Sequence, residues 1–327
     1  MIDRGIDMKQ TRPVDEKIKK ELEAAVAEGN GGASLFNDLD SEFFDVKLLT
    51  WTKNPYIPLV EMHLNTYGDK TLKWNDLSPK TRFYIAKKVL ERKGYPLALE
   101  APQFTFWIQG VTRSAFDEIA RARIGVVFSS RGFKDNDLNG LSFVKPYILD
   151  KNDEEELEDF YLRLKDFYLY LRNKYPGWAS RYIIPMGAEY HFSMTANYSS
   201  LQNFCARRME TTEQTDVVAV AWKIQNRIAE KFELLGNYLR PASDFAHRDL
   251  TVESNWFSWI TGLPHSSDGR YPTTIPDYIK VEHDYPCTDV KFLKKSGIKV
   301  LAPGDYKDLE LNNLKMEERQ LFYEMIE

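Results

Sequence analysis

Apolar residues recur along this chain with two periods, and the change from one to the other marks the elements. Residues 197–208 carry Leu201, Phe204 and Cys205 at helical spacing, and 211–235 carry Val217, Val220, Ala221, Ile224, Ile228, Phe232 and Leu235 on one stripe, so both segments read as helices packed on a core. Thr211 and Gln214 form a capping box at the start of the second, and Leu239-Arg240-Pro241 ends that section. Ser78-Pro79 opens a helix running to about Lys93 before Gly94, with proline at the first position, where its missing N–H costs nothing. The stretch 153–174 is acidic at Asp153, Glu154, Glu155 and Glu156, basic at Arg172 and Lys174, and followed by Pro176, the charge order that a helix dipole favours. Thr112 or Ser114 caps a shorter helix through Ala115, Phe116, Ile119 and Ala120 that ends in Arg121-Ala122-Arg123.

Strand signals are fewer. Residues 103–109 are aromatic and β-branched and predict a buried strand closed by Gly110, with 124–128 as a return strand. An apolar segment, 43–64, precedes them. Residues 1–40 read as a polar arm, with a helix over 15–27 stopped by the Gly/Asn cluster Glu28-Gly29-Asn30-Gly31-Gly32. The remainder, 241–327, is rich in Pro, Gly, Trp and Tyr and lacks periodicity until a charged helix near 316–327. The expected organisation is an arm (1–40), a central domain (41–240) and a C-terminal extension of unassigned role (241–327).

Composition narrows the function classes. With 327 residues, 43% hydrophobic and 28% charged, the chain can bury one large core or two modest ones. A net charge of −5 supplies no field that would draw it onto nucleic acid or acidic membranes, so neither is an expected partner. No apolar run reaches bilayer length and the charged N-terminus lacks the apolar core of a signal peptide. The only two cysteines, Cys205 and Cys287, lie far apart, which points to a reducing compartment and a cytoplasmic location. The five histidines show no metal-ligand spacing, so no metal is expected, and the common nucleotide and hydrolase motifs are absent.

What stands out is arginine where a fold wants apolar residues. Arg208 continues the stripe Leu201, Phe204, Cys205, so its guanidinium meets either a carboxylate or a ligand, or else bonds the last carbonyls of its own helix. Arg121, Arg123 and Arg131, with Ser129 and Ser130, cluster about a turn in a set that suits an anion such as phosphate or is simply a solvated basic turn. Arg181 repeats the oddity inside Trp178-Ala179-Ser180-Arg181-Tyr182-Ile183-Ile184-Pro185.

These same positions resemble the flavin-dependent thymidylate synthase family. Glu100-Ala101-Pro102-Gln103-Phe104-Thr105-Phe106, Gly110-Val111-Thr112-Arg113 and Glu118-Ile119-Ala120-Arg121-Ala122-Arg123 follow the family's run from a Glu-His pair into Arg-His-Arg. Arg181-Tyr182-Ile183-Ile184-Pro185 is similar to its Ala-Arg-x-x-Leu-Pro, and Asn197 through Asn203, Arg208 and Gln214 to its Asn, Ser-Leu, Asn-Phe, Arg and Ala-Gln series. The resemblance covers about 90–240. It implies an α/β (α+β) fold of the thymidylate synthase-complementing-protein type, a mixed sheet flanked by long helices, in a homotetramer with active sites shared between subunits.

By that resemblance the central domain is catalytic and uses FAD, with methylenetetrahydrofolate and NADPH as co-substrates, to methylate C5 of a pyrimidine nucleotide, dUMP to dTMP. Arg208 would polarise the base. Glu118, in the place of a family glutamine, would lie near the substrate. Arg181, Arg131, Ser129 and Ser130 would hold the phosphate, and Arg121, Arg123, Asn197 and Asn203 would line the flavin site. Ala101 and Ala122 replace two family histidines, and the loop from Arg123 to Ser129 is two residues shorter than in the family. With a weaker hydride donor, water could capture the methylene intermediate as a hydroxymethyl group. A paralogue that binds nucleotide without turnover is the other alternative.

Overall fold

The computed structural model describes residues 36–37, 44–68, 71–130, 142–210, 213–242 and 288–326, all within one compact unit, Phe36–Glu327. Its centre is a sheet of β2 (Asp45–Trp51), β3 (Gln103–Thr112), β6 (Glu189–Asn197) and β4 (Val126–Ser129) in the order β2-β3-β6-β4, antiparallel throughout. Parallel pairing is confined to two short strands, β1 (Phe36–Asn37) and β5 (Phe143–Val144). The expected mixed sheet is therefore an antiparallel one with a small parallel pair beside it.

Alternation explains which face the sheet buries. Phe104, Phe106 and Ile108 on β3 and Phe192, Met194 and Ala196 on β6 are fully buried, while Thr105, Trp107, His191 and Thr195 between them are half-buried on the other face. Gly110 does not end β3. The strand runs through it at φ +75 as the register shifts between Ile108 and Val111, a bulge that glycine accommodates without strain. Strands β2 and β6 go beyond the pattern expected from composition. The residues of β6 alternate, with strand-favouring Tyr190, Phe192 and Thr195 among weaker ones, and pairing on both sides holds the strand.

Several helices begin where the capping chemistry directs. Ser78 accepts from the amide of Thr81 at the head of α2 (Pro79–Leu90), which follows α1 (Tyr56–Tyr67). Thr112 accepts from Ala115 at the head of α3 (Arg113–Ile119), and Asp150 from Asn152 and Asp153 at that of α4 (Lys151–Lys174). After α5 (Gly177–Ser180), Asn197 caps α6 (Tyr198–Arg208) by accepting from Ser200. The single helix expected over 211–235 is two: α7 (Thr215–Lys231) stops at Phe232, at φ −135 and ψ 89, before α8 (Glu233–Asn237). Thr211 of the expected capping box lies outside the described residues, as does the helix over 15–27.

Helix α7 is buried well beyond the expected stripe, with Val218, Ala219 and Trp222 also inside, and is the spine of the main core. A smaller core joins Tyr161 and Tyr168 of α4 to Phe143 and Ala188. The C-terminal segment, with α9 (Val290–Lys295) and α10 (Met316–Tyr323), sends Leu293, Ile298, Leu309, Leu314 and Phe322 into the main core. Its described part thus completes the same hydrophobic interior as the central domain.

Candidate functional site

The starts of α3 and α7 are bound to each other. Thr112 donates to Asp216 Oδ2 through its amide at 3.0 Å and its hydroxyl at 2.7 Å, and Gln214 bridges Thr112 and Ser114 at 3.0 Å each. Burial pushes the Asp216 carboxyl up, and the two bonds from Thr112 oppose that shift. The C-terminal end of α6 enters this junction, and there the apolar stripe that ends in arginine finds its partner.

That partner is a pair of carboxylates. Arg208 Nη1 lies 2.5 Å from Glu213 Oε2 and 3.4 Å from Glu118 Oε2, and its Nη2 donates to the Glu118 carbonyl at 3.0 Å. Glu118 also holds Arg121 at 2.9 Å. Two cations and two anions therefore meet at the end of α3, with Arg208 largely enclosed and Arg121 open to solvent. Within one chain the guanidinium takes the first of the alternatives its position allows, a carboxylate.

The other expected site residues are distributed around this junction. Ser129 and Ser130 stand at the exposed end of β4, where the Ser130 hydroxyl accepts from Tyr190 at 2.9 Å and the Ser129 carbonyl from Ser193 at 3.4 Å. Arg113 lies over the Tyr190 ring at 5.0 Å and pairs with Asp117 at 2.9 Å. Arg123 is exposed on the loop before β4, and Arg181 is exposed on the turn Arg181–Ile183. Among the described residues no hydrogen bond or ion pair joins Arg181 to the Arg208 cluster. Arg131 lies outside the described residues.

Asn197 is occupied by the fold. It caps α6, and its amide donates to the Gly125 carbonyl at 3.1 Å, which clasps the loop after Arg123. Asn203, on the same helix, differs: its Oδ1 is buried and has no hydrogen-bond partner among the described residues. A buried amide oxygen left unbonded is costly and marks a place where a donor is wanted.

Sequence reasoning did not single out Glu213, and it gave neither Arg113 nor Tyr190 a role. Glu213 sits across a turn from Arg208, and Tyr190 belongs to the unanticipated β6. The alternation of Tyr190, Phe192, Met194 and Ala196 with polar residues was the signal that could have found β6, whereas nothing local marks Glu213 as the partner of Arg208. Burial pushes the Cys205 thiol up, away from nucleophilic character. Among the described residues no cluster of His, Cys, Asp or Glu could hold a metal ion, and no helix is long and apolar enough to cross a membrane.

Comparison with known proteins places this junction in a family. The family model for thymidylate synthase complementing protein matches residues 47–232, more than half of the chain. A flavin-dependent thymidylate synthase from Sulfurisphaera tokodaii is 28% identical over 151 residues, 45% of this chain and 58% of the relative. One from Pyrococcus horikoshii is 30% identical over 199 residues, 58% of this chain and 81% of that protein. The chain thus spans little more than half the length of the first of these relatives. A UMP/dUMP methylase from Streptomyces cacaoi bound to 5-Br dUMP aligns at a TM-score of 0.49 and 12% identity, covering 62% of this chain and 95% of that one. The match over β2 through α7 takes in Glu118, Arg121, Asn197, Asn203 and Arg208 together, and the chain belongs to the thymidylate synthase complementing protein family.

Proposed function

We propose that this protein transfers a one-carbon unit from methylenetetrahydrofolate to C5 of a pyrimidine nucleotide, dUMP to dTMP, as a flavin-dependent thymidylate synthase. The observation that carries the reading is the enclosure of Arg208 between Glu118 and Glu213 inside the family match. A guanidinium flanked by two carboxylates has little net field left for a phosphate dianion, but its fixed N–H groups suit a neutral ring carbonyl. Arg208 therefore takes the base, and Arg181 with Ser129, Ser130 and Arg131 takes the phosphate.

The residues present fit a flavin beside α6 and the loop before β4. The Oδ1 of Asn203, without a donor among the described residues, has room for one, and Arg121 and Arg123 are exposed cations able to meet the anionic part of FAD. Asn203, Arg121 and Arg123 would hold it, with Asn197 fixing the loop beside them. A flavin bound there and reduced by NADPH would supply the hydride equivalent needed to take the transferred carbon from methylene to methyl.

The chain's own work is electrostatic. Arg208, oriented by Glu118 and Glu213, would donate to a carbonyl of the uracil ring and withdraw charge from it, which makes the ring electrophilic and stabilises negative charge that builds on that carbonyl oxygen. Buried Cys205, its thiol raised, is not the nucleophile. Phe160, Phe167 and Tyr170 of α4 are exposed and support contact with further copies; a homotetramer rests on the family resemblance alone, and a cytoplasmic location on the cysteine usage.

Purified protein incubated with dUMP, methylenetetrahydrofolate, FAD and NADPH, followed by mass analysis of the nucleotide, tests the reading. A net gain of CH2 is expected. A gain of CH2O identifies the hydroxymethylase alternative, suggested by Ala101 and Ala122, and unchanged dUMP removes the catalytic reading in favour of a nucleotide-binding paralogue.

A further inference from the structure

We infer that Thr288 is a positioning residue for Arg208, coupling the C-terminal segment to the candidate base site through the backbone of Glu213. The inference rests on the proposed role of Arg208, and Thr288 itself lies outside the family match over 47–232.

Glu213 sits in the turn between α6 and α7 and is engaged at both ends. Its side chain reaches back to Arg208, with Oε2 2.5 Å from Nη1. Its carbonyl accepts from the Thr288 hydroxyl at 2.8 Å. Thr288 is 1% exposed, and its Oγ1 also lies 3.3 Å from that of Thr215, the first residue of α7. A hydroxyl has one proton, so the bond to Glu213 leaves the contact with Thr215 to be made with Thr215 as donor.

The threonine is itself held in place. The amide of its neighbour Asp289 donates to the Tyr147 hydroxyl at 2.7 Å, and the Tyr147 ring stacks on Phe292 of α9 at 4.3 Å. One residue further along α9, Leu293 is sunk in the main core. The turn that carries Glu213 is therefore fixed by a buried hydroxyl mounted on a packed helix. A carboxylate that orients a guanidinium can be no better placed than its own backbone, and small misplacements of an orienting group carry large functional cost.

Thr288→Val removes the hydroxyl while keeping the shape, and Thr288→Ser keeps the hydroxyl. Both are prepared in the full chain with 15N-labelled arginine, the Arg208 side-chain resonance being assigned by its loss in Arg208→Lys. In the valine variant the Arg208 resonance is expected to shift and the dUMP dissociation constant to rise about tenfold, with serine restoring both. An unmoved Arg208 resonance in the valine variant overturns the inference, as does a lowered melting temperature with unchanged dUMP affinity. If the wild-type chain fails to bind dUMP, the proposed function falls, and the Arg208 resonance alone still decides whether Thr288 positions that side chain.

Discussion

The guanidinium of Arg82, almost wholly enclosed, donates to the carbonyl of Phe322 at 2.8 Å and so ties α2 to the C-terminal helix α10. It also donates to the carbonyls of Trp74 at 2.8 Å and Glu324 at 3.0 Å. Arg82→Met keeps much of the packing but removes three hydrogen bonds; the Trp74 and Glu324 carbonyls keep the Leu77 amide and the Trp74 indole as donors, and the loss centres on the Phe322 carbonyl, at a cost of about 2 kcal/mol in unfolding free energy. Arg82→Lys is expected to recover part of this, since one ammonium cannot span the same fork. Urea midpoints of the three proteins check the order.

Glu318 makes the second tie, and its sign with pH is opposite to that of an exposed carboxylate. It accepts from the Tyr56 hydroxyl and from the amides of Glu233 at 2.6 Å and Leu234 at 3.0 Å at the start of α8. Burial raises its carboxyl to about 7 despite these bonds. The folded chain therefore binds more protons than the unfolded chain between the ordinary glutamate range and about 7. This contribution is complete below that range and is lost as pH rises through the folded value, by up to about 1.4 kcal/mol per pH unit. Stability curves measured across this interval should lose that slope in Glu318→Gln.

Arg208→Ala separates function from folding. Loss of a fixed donor to the base is expected to lower turnover by about 100-fold or more. The partners Glu118 and Glu213 are both part-exposed and can rehydrate, so the stability change is expected to stay near about 1 kcal/mol. Turnover with dUMP beside a thermal melt reads both. A large fall in the melting point with turnover per folded molecule intact would show Arg208 to be structural.

Gly125 stands at φ +67, and a Cβ there would come within 2.4 Å of Asn197 Nδ2 and Ser200 Oγ. Gly125→Ala is expected to cost about 1–2 kcal/mol and to loosen the Asn197 clasp on the loop after Arg123. FAD content after reconstitution, measured by absorbance, should fall with it. Full flavin occupancy in this variant would separate the loop from the cofactor site.

The sequence by itself determined several of the helices and some of their starts. Capping residues act within three or four positions, so Ser78 and Thr112 could be read locally, and each accepts from the amide three residues on, whereas Asn197, expected at the flavin, proves to be a cap as well. The stripe ending in Arg208 was equally local, and it told that a charge would face inward without telling what would meet it. Only the tertiary structure decided that, because Glu118 and Glu213 reach Arg208 from other elements. The same holds for the central place of β6, paired on both sides, and for the C-terminal segment, whose Phe322 carbonyl and Glu318 carboxylate find partners some 240 and 85 residues away. Local steric and hydrogen-bonding rules are written in short stretches of chain, whereas the neutralisation of a buried charge depends on which distant groups the core brings beside it.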